Sequence, residues 1–439
     1  MRLLEYFGGN TGDAADRPTA SCRRRPSVSP ARRAANRLVT VSACLILTIA
    51  ALPGGCPSEL VTGTAGGLVD AVTAADDSGG TSAVNSPAPP TAQSIDGKLV
   101  VEGAVTQRGE YRLFDIGPGV AGQEVMIHTA SAFGPTFVVV LLDERYELLR
   151  RELISPRNPL THVLRAATSV MYVGVTPASG TTGGDFRLEI GLGAAAIPAA
   201  RPQVVYLNFA GGTNVRVHRR TPVSFPAFDA AMAGTRYAGQ TAALRAAIVA
   251  TMREDYAPYN VILVSSDEAP PPVGPYATIQ FGGYDDRLLG LADSVDQYNA
   301  DLGQTAIVYV ESFADYEGMG LTVEEMGQMI GNTASHELGH LLGLFHTQKP
   351  VDLMDTTGSA WDLAGEQGFT VGPLEPTVFP IGYENSPARL ADAVGRAARK
   401  AEGVNKPLHP EVLRRKLELR AMVREELRCR CGNCFDPDG

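Results

Sequence analysis

Between Cys56 and Cys429 the chain has no cysteine at all, and it holds only seven histidines in 439 residues. The cysteine gap excludes a disulfide-stapled fold for the middle of the protein, which must be held by ordinary core packing. Positive charge is also scarce. Lys and Arg total 38 against 48 Asp and Glu, a formal net charge of −10, which removes nucleic acid as a main partner because phosphate binding draws on a positive surface. The apolar run LVTVSACLILTIAALP (Leu38–Pro53) is sixteen residues long, short of the ~20 that span a bilayer. What is there is ordinary globular composition, 44% hydrophobic and 20% charged, in a chain long enough for two or three domains.

At the N-terminus a basic segment, RRRPSVSPARRAANR (Arg23–Arg37), precedes that apolar run, and GGCPS follows it. This is the order of a secretory signal. Residues 1–56 are expected to be a leader and signal peptide, and the chain to be exported, either extracellular or held at a bacterial cell envelope. Cys56, after Leu52-Pro53-Gly54-Gly55, resembles the lipidated cysteine of a bacterial lipoprotein; a lipid anchor through Cys56 and plain secretion both remain open. Residues 57–94 are rich in Gly, Ala, Ser, Thr and Pro, bury too little to order themselves, and read as a flexible linker. At the far end CRCGNC holds Cys429, Cys431 and Cys434. One disulfide with a leftover thiol is expected there, since a zinc finger needs a fourth ligand and wider spacing.

Across 95–192 short apolar runs (KLVVEGAV, EYRLFDI, EVMIHTA, FVVVLLD, SVMYVGVT, DFRLEIG) are punctuated by Gly and Pro, which predicts a β-sandwich. After the linker GAAAIPAARP (Gly193–Pro202) come strands VVYLNFAG, NVILVSS, YATIQFGG and TAIVYVES, with a helix over Gln240–Tyr256. Strands interleaved with helices predict an α/β or α+β domain over 201–385. Residues 386–439 read as a helical, charged segment, in which EVLRRKLELRAMVREELR (Glu411–Arg428) sets Val412, Leu419, Val423 and Leu427 on one stripe.

Three of the seven histidines fall within NTASHELGHLLGLFHT (Asn332–Thr347). Upstream, Thr322 and Glu325 stand at capping-box spacing. Met326, Ile330, Ala334, Leu338 and Leu341 then recur at helical intervals, so Val323 to about Leu342 is predicted to be one long helix. His336 and His340 would lie one above the other on one face. Gly343 is a natural helix stop, after which the chain can turn back and bring His346 to the same point. Three imidazoles leave a fourth tetrahedral position, the arrangement of catalytic rather than structural zinc. Glu337 is placed to reach something held at the metal but not to be a ligand itself. The HExxH pattern arises by chance in on the order of one chain in a hundred, and Gly343 with His346 lowers that roughly a thousandfold. Incidental histidines on a core helix compete poorly with a site.

HELGHLLGLFH (His336–His346) is similar to the HExxHxxGxxH signature of metzincin metallopeptidases, and TQKPVDLMD supplies Met354 in the Leu-Met context of a matrixin-like Met-turn. Over roughly Arg201–Gly382 the resemblance implies an α+β fold, a metzincin-like catalytic domain with a twisted mixed sheet and a long active-site helix. It implies one catalytic Zn²⁺ on His336, His340 and His346, Glu337 as the catalytic residue, and Met354 as an apolar floor beneath the metal. It also implies that GLADS (Gly290–Ser294) belongs to an edge strand that pairs with extended substrate. Only His218 is at hand for a further structural zinc of the animal matrixin kind, so none is expected. No tyrosine closely follows Met354, and no PRCG-like cysteine precedes the domain. Asp285, Asp286, Asp293 and Asp296 could hold Ca²⁺ or form a solvated acidic loop. In the preceding β-sandwich, GEYRLFDIGPGVAGQEVMI, VVVLLDERYELL and MYVGVTPASGTTGGDFRLEI resemble bacterial pre-peptidase C-terminal domains. That implies a non-catalytic adhesion or folding module, with His128 and His162 as surface or strand residues.

These readings converge on an exported zinc-dependent endopeptidase acting on protein or peptide substrates, with water activated by the metal and Glu337 as general base. Two other classes stay open: a surface adhesion protein with a vestigial zinc domain, and a zinc hydrolase of non-peptide amides.

Overall fold

Alternation along the strands builds the front half of the protein. A computed structural model describes residues 88–95, 98–129, 136–179 and 181–398. The leader with Cys56, most of the 57–94 linker, the helix expected over Glu411–Arg428 and the three C-terminal cysteines lie outside the described residues. Strands β1 (Gln93–Ile95), β2 (Lys98–Val105), β3 (Arg112–Asp115), β4 (Gln123–Thr129), β5 (Phe137–Leu142), β6 (Leu148–Ile154), β7 (Leu160–Val163), β8 (Tyr172–Pro177) and β9 (Gly184–Ala194) form two antiparallel sheets, ordered β1-β2-β9-β4-β7 and β3-β8-β5-β6. In β9 Phe186, Leu188 and Ile190 point inward while Arg187 and Glu189 point out, the period of two that a half-buried strand requires. Val125 and Ile127 of β4 meet them from the same sheet, and Val173 and Val175 of β8 from the opposite one.

Strand β5 breaks the alternation because it has no wet face. All six residues of FVVVLL are buried: Phe137, Val139 and Leu141 enter the core between the sheets, while Val138, Val140 and Leu142 turn the other way, onto Phe345, Leu374, Val378 and Phe379. A strand covered on both sides reads as a continuous apolar run. The front sheets therefore dock on the second half of the chain, and the described residues from 89 to 398 belong to one compact unit. Strands β6 and β7 were not foreseen in the sequence. The centre of β6, RRE, is fully charged, yet Arg150 and Arg151 sit against the second half, their side chains in ring contacts with Tyr298 and Phe345.

The second half is built from β10 (Gln203–Asn208), the hairpin β11 (Gly212–Val215) and β12 (Val223–Phe225), α1 (Thr241–Asp255), β13 (Val261–Ser265), β14 (Ala277–Phe281), β15 (Gly290–Ala292), β16 (Thr305–Val308), α2 (Val323–Leu341), α3 (Ala360–Leu363), β17 (Val371–Pro373), β18 (Tyr383–Asn385) and α4 (Ser386–Val394). Its main sheet runs β13-β10-β14-β16-β15, parallel except for the antiparallel edge strand β15. Leu244, Ile248 and Met252 of α1 and Met326, Ile330, Ala334 and Leu338 of α2 pack with Val205, Leu207, Ile279 and Phe281 of the sheet in one core. The strand expected to reach Ser312 stops at Val308, and a 3-10 helix takes over at Val310. Leu390, Ala393 and Val394 of α4 join the same core, so this half continues past the boundary expected at 385. The whole is a mixed α+β fold of several sheets and few helices. No helix among the described residues is long and apolar enough to cross a membrane.

Candidate metal centre

Helix α2 begins where the sequence places it. The Thr322 hydroxyl accepts from the Glu325 N–H, and the Glu325 carboxylate takes the Thr322 N–H at 2.7 Å, a complete capping box. The helix then carries His336, Glu337 and His340 on buried turns and ends at Leu341. Gly343 follows at φ +95°, a left-handed conformation that glycine adopts without strain. A Cβ there would lie 2.9 Å from the Asp296 carbonyl, so the turn demands glycine on two counts. It lets the Leu344 N–H return to the Gly339 carbonyl at 2.9 Å and sends His346 back towards the helix.

The three imidazoles meet through their Nε2 atoms. His340 Nε2 is 3.1 Å from His336 Nε2 and 3.0 Å from His346 Nε2. Each ring gives its other nitrogen to an acceptor: His336 Nδ1 to the Leu353 carbonyl at 2.6 Å, His340 Nδ1 to the Leu344 carbonyl at 2.9 Å, and His346 Nδ1 to Glu375 Oε2 at 3.2 Å. Carbonyls and carboxylates only accept, so each Nδ1 carries the proton and each Nε2 presents a bare lone pair. Three lone pairs aimed at one another repel unless a cation lies among them. Tetrahedral zinc with bonds of ~2.0–2.1 Å separates its nitrogens by about 3.3–3.4 Å, so the cluster needs only a slight opening to take such an ion. Burial holds two of the imidazoles neutral, as ligands must be: His336 is pushed down to about 3, by burial first and then by the electrostatics of the neighbouring His346 ring, and His340 well below its ordinary value, again by burial first. The three residues lie close enough to hold a metal ion, and among the described residues no other group of three His, Cys, Asp or Glu is so gathered.

Glu337 is buried and faces the edge strand. A Cβ at Gly290 would land on its carboxyl group, so the glycine of β15 makes the space in which the carboxyl sits. Burial pushes Glu337 up to about 8, and a divalent cation on the neighbouring imidazoles would oppose that shift. Met354 is fully buried, and a Cβ at Gly339 would lie 2.6 Å from its sulfur. The methionine therefore packs beneath the helix between the first two histidines.

Two supporting carboxylates were missed in the sequence. Glu375 fixes His346 from both sides: its side chain takes Nδ1–H, and its own N–H donates to the His346 carbonyl at 3.0 Å. Burial raises the Glu375 carboxyl, but the hydrogen bond and electrostatic pull of the His346 N–H outweigh it, so the group sits below its usual value. Asp352, fully buried, accepts from the Met354 N–H at 2.8 Å, the Thr370 N–H at 2.9 Å and the Thr370 hydroxyl. It thereby shapes the turn whose Leu353 carbonyl receives His336. Nothing in the spacing links Glu375 to His346. Asp352 left one signal, an acid inside the apolar stretch before Met354.

The aspartates considered for calcium are not brought together. Asp285 accepts from the N–H groups of Arg287 and Leu288, Asp293 from those of His218 and Thr305, and Asp296 from that of Asp301, while Asp286 pairs with Arg287 at 3.8 Å. His218 is held at the end of the edge strand by Asp293. His162 lies on β7, buried rather than at the surface, with Nδ1 2.5 Å from the Tyr298 hydroxyl; His128 is a strand residue of β4, 3.6 Å from Glu189.

Fold and site together define a mixed α+β protein with a three-histidine cluster of metal-ligand type. No family model matches the chain, and no curated protein sequence matches it. Among solved structures, the chain is weakly similar to the periplasmic inhibitor of g-type lysozyme PliG from Aeromonas hydrophila, at 12% identity and a TM-score of 0.20 over 24% of this chain and 96% of that one. It is similar at 10% identity and a TM-score of 0.18 to the pre-peptidase C-terminal domain of collagenase from Bacillus anthracis, over 25% of this chain and all of that one. A family two carbohydrate esterase from Cellvibrio japonicus gives 12% identity and a TM-score of 0.15 over 40% of this chain and 48% of that one. None of these likenesses places the chain in a family.

Proposed function

We propose that the protein is an exported zinc-dependent endopeptidase of metzincin type, in which His336, His340 and His346 hold the ion, Glu337 is the general base and Met354 is the floor of the site. The observation that carries this reading is the convergence of three bare Nε2 atoms beside a buried carboxyl group. When bound, zinc supplies a Lewis acid for the scissile carbonyl and acidifies water. Glu337 takes a proton from the attacking water as oxygen bonds to the carbonyl carbon, and returns it to the amine as the C–N bond breaks.

The edge strand supports a peptide substrate. The Tyr309 N–H donates to the Leu289 carbonyl at 2.8 Å and the Asp293 N–H to that of Thr305 at 3.0 Å. Odd-numbered residues of this strand therefore bond inward to β16, and the even ones, Gly290 and Ala292, turn their backbone groups to the free edge. An extended peptide added there reads backbone rather than side chains, which suits broad protein substrates. Gly290 also lies over Glu337, so the same residue would register the substrate against the base. Residues 1–56 support export by signal peptide, ending either in plain secretion or in a lipid anchor at Cys56.

The test is a fluorogenic peptide library with the parent and E337Q, each assayed for bound zinc. Glu337→Gln should retain the ion and lose at least ~10²-fold in kcat. Equal cleavage by both would refute the assignment of the base, and silence of the parent towards every peptide would refute the endopeptidase.

A further inference from the structure

Two lines of contact lead from the front sheets to the metal ligands, and both start at Arg151 of β6. The first uses its backbone. Arg151 N–H donates to Gln297 Oε1 at 3.2 Å, and Gln297 Nε2 donates to the Arg151 carbonyl at 2.8 Å, so the glutamine amide docks on β6 as a neighbouring strand's peptide would. Gln297 in turn abuts the Gly343 bend, its Cα 2.9 Å from where a glycine Cβ would stand, and the preceding Asp296 N–H donates to the His340 carbonyl at 3.0 Å. The second line uses the side chain. Arg151 Nε donates to the Val378 carbonyl at 2.9 Å, and the guanidinium lies 5.6 Å from the centre of the Phe345 ring, next in sequence to His346. The Val378 N–H donates to the Glu375 carbonyl at 2.8 Å, and Glu375 holds His346 by both side chain and backbone.

Nothing in peptide hydrolysis calls for a cation here. Burial lowers the Arg151 guanidinium to about 10, which marks it as a charge kept out of water at a cost. Its neighbour Arg150 instead pairs with Glu152 at 3.1 Å and lies over the Tyr298 ring. Arg151 spans two segments that are remote in sequence and both end on ligands: the 296–297 turn that touches His340 and the Gly343 bend, and the 375–378 turn that touches His346.

We propose that Arg151 and Gln297 are positioning residues of the metal centre, so that the front sheets set how tightly the three histidines hold their ion. This rests on the metal-binding reading above. The sandwich is then a wall of the site rather than an appendage, and its effect is exerted on the geometry of His340 and His346, not on substrate.

The experiment uses the full chain loaded with Co²⁺, whose absorption reports ligand geometry, with affinity measured by competition against a chelator. R151Q and Q297A should each weaken Co²⁺ binding by about tenfold, the loss usual for outer partners of metal ligands, and should alter the visible band. V125A, which opens the inner core in the opposite sheet, is the comparison: it should lower Tm and leave affinity and spectrum unchanged. If R151Q fails to fold, R151K keeps the cation, loses the aligned bond to Val378, and should still weaken the metal. Parent-like affinity and spectrum in the folded Arg151 and Gln297 variants would overturn the proposal. A parent that takes no Co²⁺ would overturn the metal reading and this proposal together, whereas one that binds Co²⁺ normally but cleaves no peptide would refute the endopeptidase alone.

Discussion

At the residue scale, chemistry rather than position makes the centre. Each clustered histidine is left with a bare Nε2 because something else takes its second nitrogen, and for two of the three that partner is a backbone carbonyl. This explains why the clustering of the three histidines was legible in the sequence and their supports were not. HExxHxxGxxH is a helical spacing plus a bend, fixed by local geometry, while Glu375 reaches His346 through folding of a segment 29 residues away. Asp255 shows the same limit. It accepts from the Ser335 hydroxyl at 2.6 Å behind the ligand helix, and burial pushes its carboxyl up to about 7 from an ordinary 3.8. The folded protein therefore binds this proton more tightly than the unfolded chain. The penalty for a buried carboxylate is absent below about pH 4 and complete above about pH 7, so stability falls across that window. Asp255→Asn should raise Tm clearly at pH 8 and little at pH 4; an equal gain at both would contradict the shift.

At the element scale, the long helix and the edge strand are each defined by a glycine. Gly343→Ala would force a side chain into a left-handed conformation and against the Asp296 carbonyl. We expect a loss of roughly 1–3 kcal/mol in urea unfolding, together with weakened zinc binding as His346 is displaced. Gly290→Ala is more selective. The added methyl falls on the Glu337 carboxyl, so zinc content should hold while kcat drops by up to ~10²-fold, the cost of an ångström-scale misplacement. Unchanged kcat would remove β15 from the site. The ligand helix was readable because capping box, apolar stripe and glycine stop agree along one segment. Strand β6 was not, because its RRE centre carries long side chains whose guanidinium groups lie against rings of another part of the fold, and no local pattern announces such a cover.

At the scale of the whole molecule, the sequence suggested two domains joined by GAAAIPAARP, and the sheets of both are present. What it did not convey is how they meet. Val138, Val140 and Leu142 share a core with Phe345, Val378 and Phe379, and Asn385 reaches Glu147 at 2.9 Å while Arg389 reaches the Leu148 carbonyl at 2.9 Å. The clue was FVVVLL, whose lack of alternation is the mark of a strand covered on both sides. A shared core of this kind couples the two halves, so calorimetry should record one unfolding transition for residues 88–398, with Val140→Ala lowering it as a single peak. Two separated peaks would mean that the halves melt independently.

The two-sided burial of β5 has a further consequence for any fate that parts the molecule. Cut loose at the stretch after Ala194, the front sheets would carry a greasy ribbon of valine and leucine with nothing to shield it, and copies would clump through that ribbon. A protease nick alone would leave the halves clasped through that ribbon, whereas loss of the first half would strip the cover from Phe345 and Phe379 of the second.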